Sequence, residues 1–528
     1  MNENNSTSKS IVLLAMLLGL LAGIVISGRK SNNSQLFAND DGKMSTLKEV
    51  YNLIGEEYVD AMDADSLDEQ LVNGMLATLD PHSRYLSVNE LERQQEEMRG
   101  GFDGIGVILR YRNDTVWAGT VLNGSPAKRA GVHPGDRIIL VDKDTVSGVK
   151  MTGDDVVKRI RGSKGTKVQL SLLRGSENRM LKVSIVRNAI PTPSVPYSGM
   201  LDKRTGYIKI IRFGETTYKE FHYALANLKA QGLEKLVIDL RGNGGGLLDA
   251  AINIANDLLP NGSLIVYTEG ARQRRSDTRA RGKAFYEGEV VIMIDELSAS
   301  ASEVVSGAIQ DNDRGLIVGR RSFGKGLVQR QFDLNDGSAL WLTVARYYTP
   351  SGRCIQRPYD KGTDEYYSSY LEQMMADMES DSIVSTITDT TKYYTKNGRV
   401  VYGGGGIFPD KVLSYLRDTN LIFVNALINK GCVTDLVLEY VKNDYETLIK
   451  KYPTEDEFVK SFVVDDMIMR RLYKYAASKG VKKNERSARK YDSLLRTTVK
   501  ANLGECLYRT ETFYRIYAPC DHELAQIW

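Results

Sequence analysis

The chain has 528 residues, enough for several domains. Hydrophobic residues make up 42% and charged residues 26%, ordinary for a globular protein. A formal net charge of +3 provides no broad electrostatic case for nucleic acid, and the 29 tyrosines come without a paired-aromatic recognition motif, so no nucleic-acid partner is expected.

The first element is an uncharged apolar run from Ile11 to Ile26, preceded by Lys9 and followed by Arg29 and Lys30. It is slightly short of the roughly 20 residues that a spanning helix needs. Its readings are a signal peptide and a retained anchor. Val25-Ile26-Ser27 is a poor small-x-small cleavage site, which favours the anchor over residues 1–30. Positive charges on both sides leave its orientation open. Residues 31–44 then act as a polar tether, and the bulk of the chain is exported or tied to a membrane.

Residues 45–100 read as helical. Leu47, Val50, Tyr51, Ile54 and Tyr58 recur with a period near 3.6, and a turn at Leu79-Asp80-Pro81-His82-Ser83 precedes a polar helix from Val88 to Met98. This region is expected to be a docking or dimerising bundle, which raises a homodimer as the assembly. His82, beside Pro81, is expected to stabilise the turn rather than to catalyse.

Residues 101–188 change character. Short β-rich runs begin at Gly106, Thr115, Arg137, Val168 and Leu181, with short helices at Ser125 to Gly131 and Asp154 to Ile160. Gly104-Ile105-Gly106-Val107, Ser125-Pro126-Ala127 and Pro134-Gly135-Asp136-Arg137-Ile138 make this segment resemble a PDZ domain. Such a domain captures an extended peptide by strand addition, with loop amides receiving the C-terminal carboxylate. The resemblance implies that Gly104, Ile105, Gly106 and Val107 bind the tail, with Val156 and Val157 walling its apolar pocket.

Residues 189–358 alternate strand and helix, which argues for an α/β layered domain. Strands are expected at Gly206 to Ile210, Lys235 to Leu240, Val290 to Ile294 and Gly315 to Gly319, and helices at Tyr218 to Gln231, Leu247 to Leu259 and Ala301 to Asn312. Ser298, Ser300 and Ser302 sit where a buried strand meets a helix. N–H groups at a helix start favour an oxyanion there, so each is a candidate nucleophile. One serine suffices to cap the helix. A serine needs a base, and the four histidines (His82, His133, His222 and His522) are distant in sequence. Lys325, framed by Gly324 and Gly326 and flanked by Phe323, Leu327 and Val328, is the more attractive base if burial lowers its pKa. Gln329 is placed to aim it. Amides of Ala301 and of the Gly244-Gly245-Gly246 turn are candidate oxyanion donors. Gly319 to Lys325 imitates a P-loop, but Gly326 stands where Ser or Thr is required and a strand-like alternation follows, so nucleotide binding is disfavoured.

Residues 359–400 read as a polar, irregular insertion. Residues 401–415, with Gly406-Ile407-Phe408-Pro409-Asp410, close back onto the core, and residues 416–528 read as helical. Cys354, Cys432, Cys506 and Cys520 lack metal-ligand spacing. An exported chain has the option of pairing Cys506 with Cys520.

Taken together, Asp239-Leu240-Arg241-Gly242-Asn243, Ser298-Ala299-Ser300-Ala301-Ser302-Glu303, Phe323-Gly324-Lys325-Gly326-x-Val328-Gln329, Ala345 to Gly352 and Gly406 to Asp410 resemble the C-terminal processing peptidases, or tail-specific proteases. The likeness spans about Ser45 to Asp410. It implies an α+β multidomain protein: a crotonase-like layered α/β protease core, an inserted PDZ domain, helical N- and C-terminal regions and an N-terminal membrane anchor. It places the nucleophile on Ser300, the base on Lys325 and the base's partner on Gln329, with oxyanion donors at Ala301, Gly245 and Gly246. This chain has Gly244 where the family often has Pro, which loosens that turn. The implied activity is serine endopeptidase cleavage through an acyl-enzyme. The expected partners are protein substrates with free C-termini, and neither metal nor organic cofactor is expected. The expected location is the periplasmic side of a bacterial inner membrane. The alternative is a membrane-tethered peptide-binding scaffold with an idle protease fold.

Overall fold

The computed structural model describes residues 41–60, 63–175, 179–379, 389–413 and 420–527. The apolar run at 11–26 lies outside them. No single helix among the described residues is long and apolar enough to cross a membrane. Residues up to Val72 and residues from Asn73 onward form two compact units.

In the first unit, helix α1 (Asp41–Glu57) leaves Leu47, Val50 and Leu53 about half exposed. Helix α2 (Ala64–Ala77) leads into the second unit. The turn after it is organised by the Asp80 carboxylate, which accepts from the amides of His82 and Ser83 and from the Ser83 hydroxyl. A short strand β1 (Arg84–Leu86) and helix α3 (Val88–Arg99) follow. Ser87 and Glu90 form a capping box at the start of α3, and Gly100 ends it in the left-handed conformation. The segment from Asp80 is therefore not part of a free-standing helical bundle. β1 pairs with a core strand more than 250 residues away, a partner that local periodicity does not reveal.

The PDZ-like module opens with β2 (Gly101–Gly104), β3 (Val107–Arg112), β4 (Thr115–Val121) and the short helix α4 (Pro126–Arg129). β5 (Arg137–Val141), β6 (Asp144–Thr145), helix α5 (Gly153–Ile160), β7 (Lys167–Arg174), β8 (Arg179–Val186) and β9 (Asn188–Pro191) complete it. The main sheet runs β3-β4-β5-β7-β8, with β6 on β5, while β2 pairs with β9 where the chain enters and leaves. Ile138, Val156, Leu170 and Leu172 are fully buried in its core.

The α/β core has a six-stranded sheet. Its strands are β10 (Tyr197–Met200), β11 (Thr205–Lys209), β12 (Lys235–Asp239), β15 (Glu289–Ile294), β16 (Leu316–Gly319) and β21 (Lys411–Val412), hydrogen-bonded in that order. All pairs beyond β10–β11 are parallel. Parallel strands covered on both faces are apolar at every position, as Leu236 to Ile238 and Val290 to Ile294 are. Ile208, Ile238, Ile292 and Ile317 face helices α6 (Thr217–Ala230), α7 (Leu248–Leu258) and α8 (Ala301–Asp311). Their alternates Tyr207, Val237, Val291, Met293 and Val318 pack against Ala518 and Leu524 of the C-terminal tail. A second sheet, β1-β18-β13-β14 with β17 also on β18, comprises β13 (Leu264–Gly270), β14 (Gln273–Arg279), β17 (Leu327–Asp333) and β18 (Ala339–Tyr348). β17 is a strand where a P-loop requires a helix, in accord with the disfavoured nucleotide reading.

The insertion departs from expectation. It contains a 17-residue helix, α9 (Thr363–Glu379), and a hairpin of β19 (Lys392–Tyr394) and β20 (Val400–Tyr402), rather than irregular chain. Its buried stripe mixes tyrosines with polar residues, so a purely apolar periodicity misses it. Helices α10 (Asn420–Asn429), α11 (Cys432–Lys451), α12 (Glu455–Ser461), α13 (Asp466–Ser478), α14 (Glu485–Lys490), α15 (Asp492–Leu507) and α16 (Thr510–Tyr517) form the C-terminal region around their own core. This region touches the PDZ-like module, where Arg112 meets Glu439 at 3.4 Å and the Lys128 ammonium donates to the Tyr445 hydroxyl at 2.8 Å. The four cysteines are free thiols. Cys506 sits by Thr120 and Cys520 by Thr497, so the pairing option is not taken.

Candidate active site

The structure separates the three serines. β15 ends at Ile294, and a tight turn carries the chain into α8. Ser298 and Ser302 are fully buried and occupied: the Ser298 hydroxyl donates to the Leu240 carbonyl, 2.9 Å, and that of Ser302 to the Asn243 carbonyl, 2.9 Å. Both pin the serine turn to the neighbouring glycine turn. Ser300 is half-buried on the wall of a cleft of about 800 Å³. Its backbone has φ +56° and ψ −112°, a sparsely populated region that costs on the order of 1–3 kcal/mol for a non-glycine residue. Strain at a strand-to-helix turn is a hallmark of exposed nucleophile elbows.

Glu303 holds this conformation. It is fully buried in the first turn of α8 and accepts four hydrogen bonds. Oε2 takes the amides of Ser300 (2.8 Å) and Lys325 (2.9 Å), and Oε1 takes the Ser322 hydroxyl (2.6 Å) and the Gly324 amide (2.7 Å). One carboxylate thus joins the backbone of the serine turn to that of the lysine loop. Burial raises its pKa to about 7 against the pull of those donors. Tyr347 adds a second tie, its hydroxyl donating to the carbonyls of Lys325 (2.6 Å) and Ser300 (3.2 Å). Sequence reasoning assigned Glu303 no role, although Ser300-x-x-Glu303 is a capping-box spacing that points to it.

Lys325 lines the same cleft as Ser300 and, like it, is half-buried. Its pKa is held below the ordinary lysine value, chiefly by burial and then by the Arg84 charge; Glu303 and Asp80 oppose the shift. Arg84 comes from β1, so the segment after α2 contributes to the lysine's environment. His82 is nearby. Burial first, then the Lys325 charge, lower its pKa to about 4, which keeps the ring neutral at ordinary pH. Its backbone shapes the Asp80 turn, as expected, and its Nε2 lies 3.1 Å from the Tyr366 hydroxyl. His222 is bonded to Asp257 at 2.7 Å and is not among the residues lining the cleft. Gln329, on β17, also lines the cleft, and its amide donates to the Thr343 hydroxyl, 3.3 Å.

The glycine turn after β12 packs directly on the serine turn. A Cβ on Gly245 would stand 2.7 Å from the Ala299 carbonyl and 3.0 Å from the Ala301 nitrogen, and its φ is +100°. Glycine is required there for close approach and for backbone angle. The Gly245 amide donates to the Asn243 side chain, 2.9 Å, and is engaged within its own turn. Gly246 and Ala301 line the cleft, and Ala301, as first residue of α8, has no helical acceptor for its amide. Asp239 and Arg241 brace the turn from below. Arg241 pairs with Asp239 at 2.7 Å and with Asp521 and Glu523 of the C-terminal tail at 2.7 and 2.6 Å. Residues of α3, including Met98 and Arg99, line the cleft as well, which helical periodicity alone did not suggest.

In the PDZ-like module β3 is an edge strand, paired with β4 on one side. Gly104 ends β2, Ile105 is buried and Val107 opens β3. Gly106 has φ +78°, and a Cβ on it would fall 2.3 Å from the Ser125 Cβ. The two valines of α5 part company. Val157 is half-buried, but Val156 is fully buried and belongs to the module's core, so it supports the helix from behind.

The model of peptidase family S41 matches residues 204–365, ending two residues after the start of α9. The PDZ domain model matches residues 93–173, the N-terminal domain of the activating protease CtpB residues 24–89, and a family of unknown function, DUF8443, residues 423–509. The carboxy-terminal-processing protease of Bartonella bacilliformis is 33% identical over 357 residues, covering 66% of this chain and 80% of the relative. The carboxy-terminal processing protease CtpA of Bacillus subtilis is 33% identical over 349 residues, covering 66% and 74%. A solved photosystem II D1 C-terminal processing protease is 31% identical, covers 59% of this chain and 83% of that one, and aligns with a TM-score of 0.36. With a PDZ domain beside an S41 peptidase domain and relatives matched over most of their length, the chain belongs to the carboxy-terminal processing proteases, a family of serine-type peptidases.

Proposed function

We propose that the protein cleaves protein tails with a Ser300/Lys325 dyad. A flexible C-terminus adds to the open edge of β3, its carboxylate received by amides around Gly104 to Val107 and its last side chain by the pocket beside Val157. The chain then runs into the cleft. Neutral Lys325 takes the Ser300 proton, and Ser300 attacks a peptide carbonyl. Amides of Ala301 and the Gly245–Gly246 turn hold the oxyanion, with Gly246 the freer of the two glycines, and Gln329 aims the amine. The amine leaves with that proton, and water releases the acyl-enzyme. The crotonase-like layering of the core sets the serine turn and the lysine loop at the same end of the parallel sheet. The 11–26 run tethers the enzyme to the periplasmic side of a bacterial inner membrane, and the N-terminal helices join two copies.

The observation that carries this reading is the Glu303 carboxylate, which binds the backbone of Ser300 and of Lys325 at once in a cleft lined by both side chains. The test is cleavage of a tail-bearing protein by Ser300→Ala and Lys325→Ala. Both variants are expected to lose cleavage and to keep tail binding. Full activity in Ser300→Ala would refute the nucleophile. Casein digestion by wild type that is lost in Lys325→Ala separates this function from an idle scaffold.

A further inference from the structure

The lysine loop has a mechanical problem. Gly324 and Gly326 are needed for close packing: a Cβ on Gly324 would stand 3.0 Å from the Gly406 nitrogen, and one on Gly326 2.9 Å from the Gln356 nitrogen. Glycines that permit such approach also remove local stiffness. A general base must nevertheless be held to within a fraction of an ångström. Rigidity must be supplied from outside the loop.

Helix α9 lies against it. Tyr366, Tyr370, Gln373 and Asp377 recur at spacings of four, three and four, which places them on one face. The Tyr370 ring packs on Phe323 with centroids 4.9 Å apart, and its hydroxyl donates to the Glu296 carbonyl, 2.9 Å, in the turn that delivers Ser300. Tyr366, 1% exposed, joins Phe323 and the His82 ring. Asp377 pairs with Arg321 at 2.7 Å. Gln373 accepts from Arg357, whose guanidinium donates to the Phe323 carbonyl, 3.1 Å, and whose amide donates to the Gly324 carbonyl, 3.0 Å. One helix therefore grips the loop carrying Lys325 and touches the turn carrying Ser300.

We propose that α9 is a brace that fixes the lysine loop against the serine turn, and that Tyr370 and Asp377 are positioning residues for peptide-bond cleavage. The proposal rests on the Ser300/Lys325 reading and adds a role for a helix that lies almost wholly beyond the matched peptidase segment. Loosening the brace lets the loop drift and water enter. Lys325, faced by Arg84, Asp80, His82 and Glu303, then moves back toward the ordinary lysine pKa, so less of it is neutral at a given pH.

The test compares Tyr370→Phe, Asp377→Asn and the double variant with wild type, with Lys325→Ala, and with Met375→Ala on the solvent side of the same helix. Steady-state cleavage of a tail-bearing peptide is measured across pH, with thermal unfolding alongside. Each single variant is expected to lose about tenfold in kcat, one hydrogen bond's worth, with KM little changed. The rising limb of the pH profile is expected to move to higher pH, which a merely structural role would not do. Met375→Ala is expected to match wild type. Folded brace variants with wild-type kcat and an unmoved limb, beside an inactive Lys325→Ala, would overturn the brace alone. An active Lys325→Ala would overturn the base assignment and this proposal with it.

Discussion

Replacing Glu303 by Gln keeps its shape and removes its charge. Raising a carboxyl pKa from 4.5 to about 7 corresponds to about 3 kcal/mol of unfavourable charge burial, which the amide does not incur. Against this, the amide nitrogen must face donors. On the Oε2 side it meets the amides of Ser300 and Lys325, and on the Oε1 side the Gly324 amide and the Ser322 hydroxyl. Either orientation forfeits at least one bond to a charged acceptor, worth about 1.5–3 kcal/mol. The two effects nearly cancel, so denaturant unfolding at pH 8 is expected to change by no more than about 2 kcal/mol. Geometry does not cancel. The repelled amide belongs to the serine turn or the lysine loop, and a displacement of about 1 Å there costs about 100-fold in kcat. The pH dependence carries the same signature. Four donors demand the ionised form, so wild-type activity falls as Glu303 takes a proton below about pH 7. Its raised pKa means the folded chain holds that proton more tightly than the unfolded one, so its contribution to stability is full below about pH 4.5 and is lost as pH rises through about 7. Activity and this part of stability run in opposite directions across that window, and Glu303→Gln removes both dependences. A folded Glu303→Gln enzyme with kcat within about threefold of wild type would refute the argument.

Four further outcomes follow from burial and packing. Val156→Ala should cost the PDZ-like module about 2 kcal/mol in unfolding free energy, since its side chain is fully buried, whereas Val157→Ala should chiefly weaken tail-peptide binding in a titration. Gly106→Ala meets both a φ of +78° and the Ser125 Cβ, so calorimetry should show a module destabilised by more than the ~1 kcal/mol of left-handed strain alone. Arg353 and Asp311 form an ion pair with neither side chain exposed, and Arg353→Met should lower stability by about 3–5 kcal/mol by stranding the carboxylate, read by chemical denaturation.

The buried parallel strands at Lys235 to Asp239 and Glu289 to Ile294 and the helix at Ala301 to Asp311 were legible because their signal is local: a continuous apolar run, then a small-residue turn, then helical periodicity. The motif set around Ser300, Lys325 and Gly245 was legible for a related reason, since tight backbone approach confines those positions to glycine, alanine and serine. Which serine is left open to the cleft was not, because the carbonyls that occupy Ser298 and Ser302, those of Leu240 and Asn243, lie 58 and 59 residues away in the chain. Nor could periodicity show that Arg84 and His82 adjoin the lysine, that Val156 turns inward, or that a tyrosine-rich helix fills the insertion.

The amino-acid sequence by itself determined the modules, the family and the chemical groups from which a hydrolase site can be built, because each depends on neighbours a few residues apart. Tertiary structure alone decided which groups meet. Glu303 reaches Lys325 across 22 residues and the brace reaches Glu296 across 74, and contacts of that range form when packing brings whole elements together, in a dry interior where one shared carboxylate has nowhere else to find its donors.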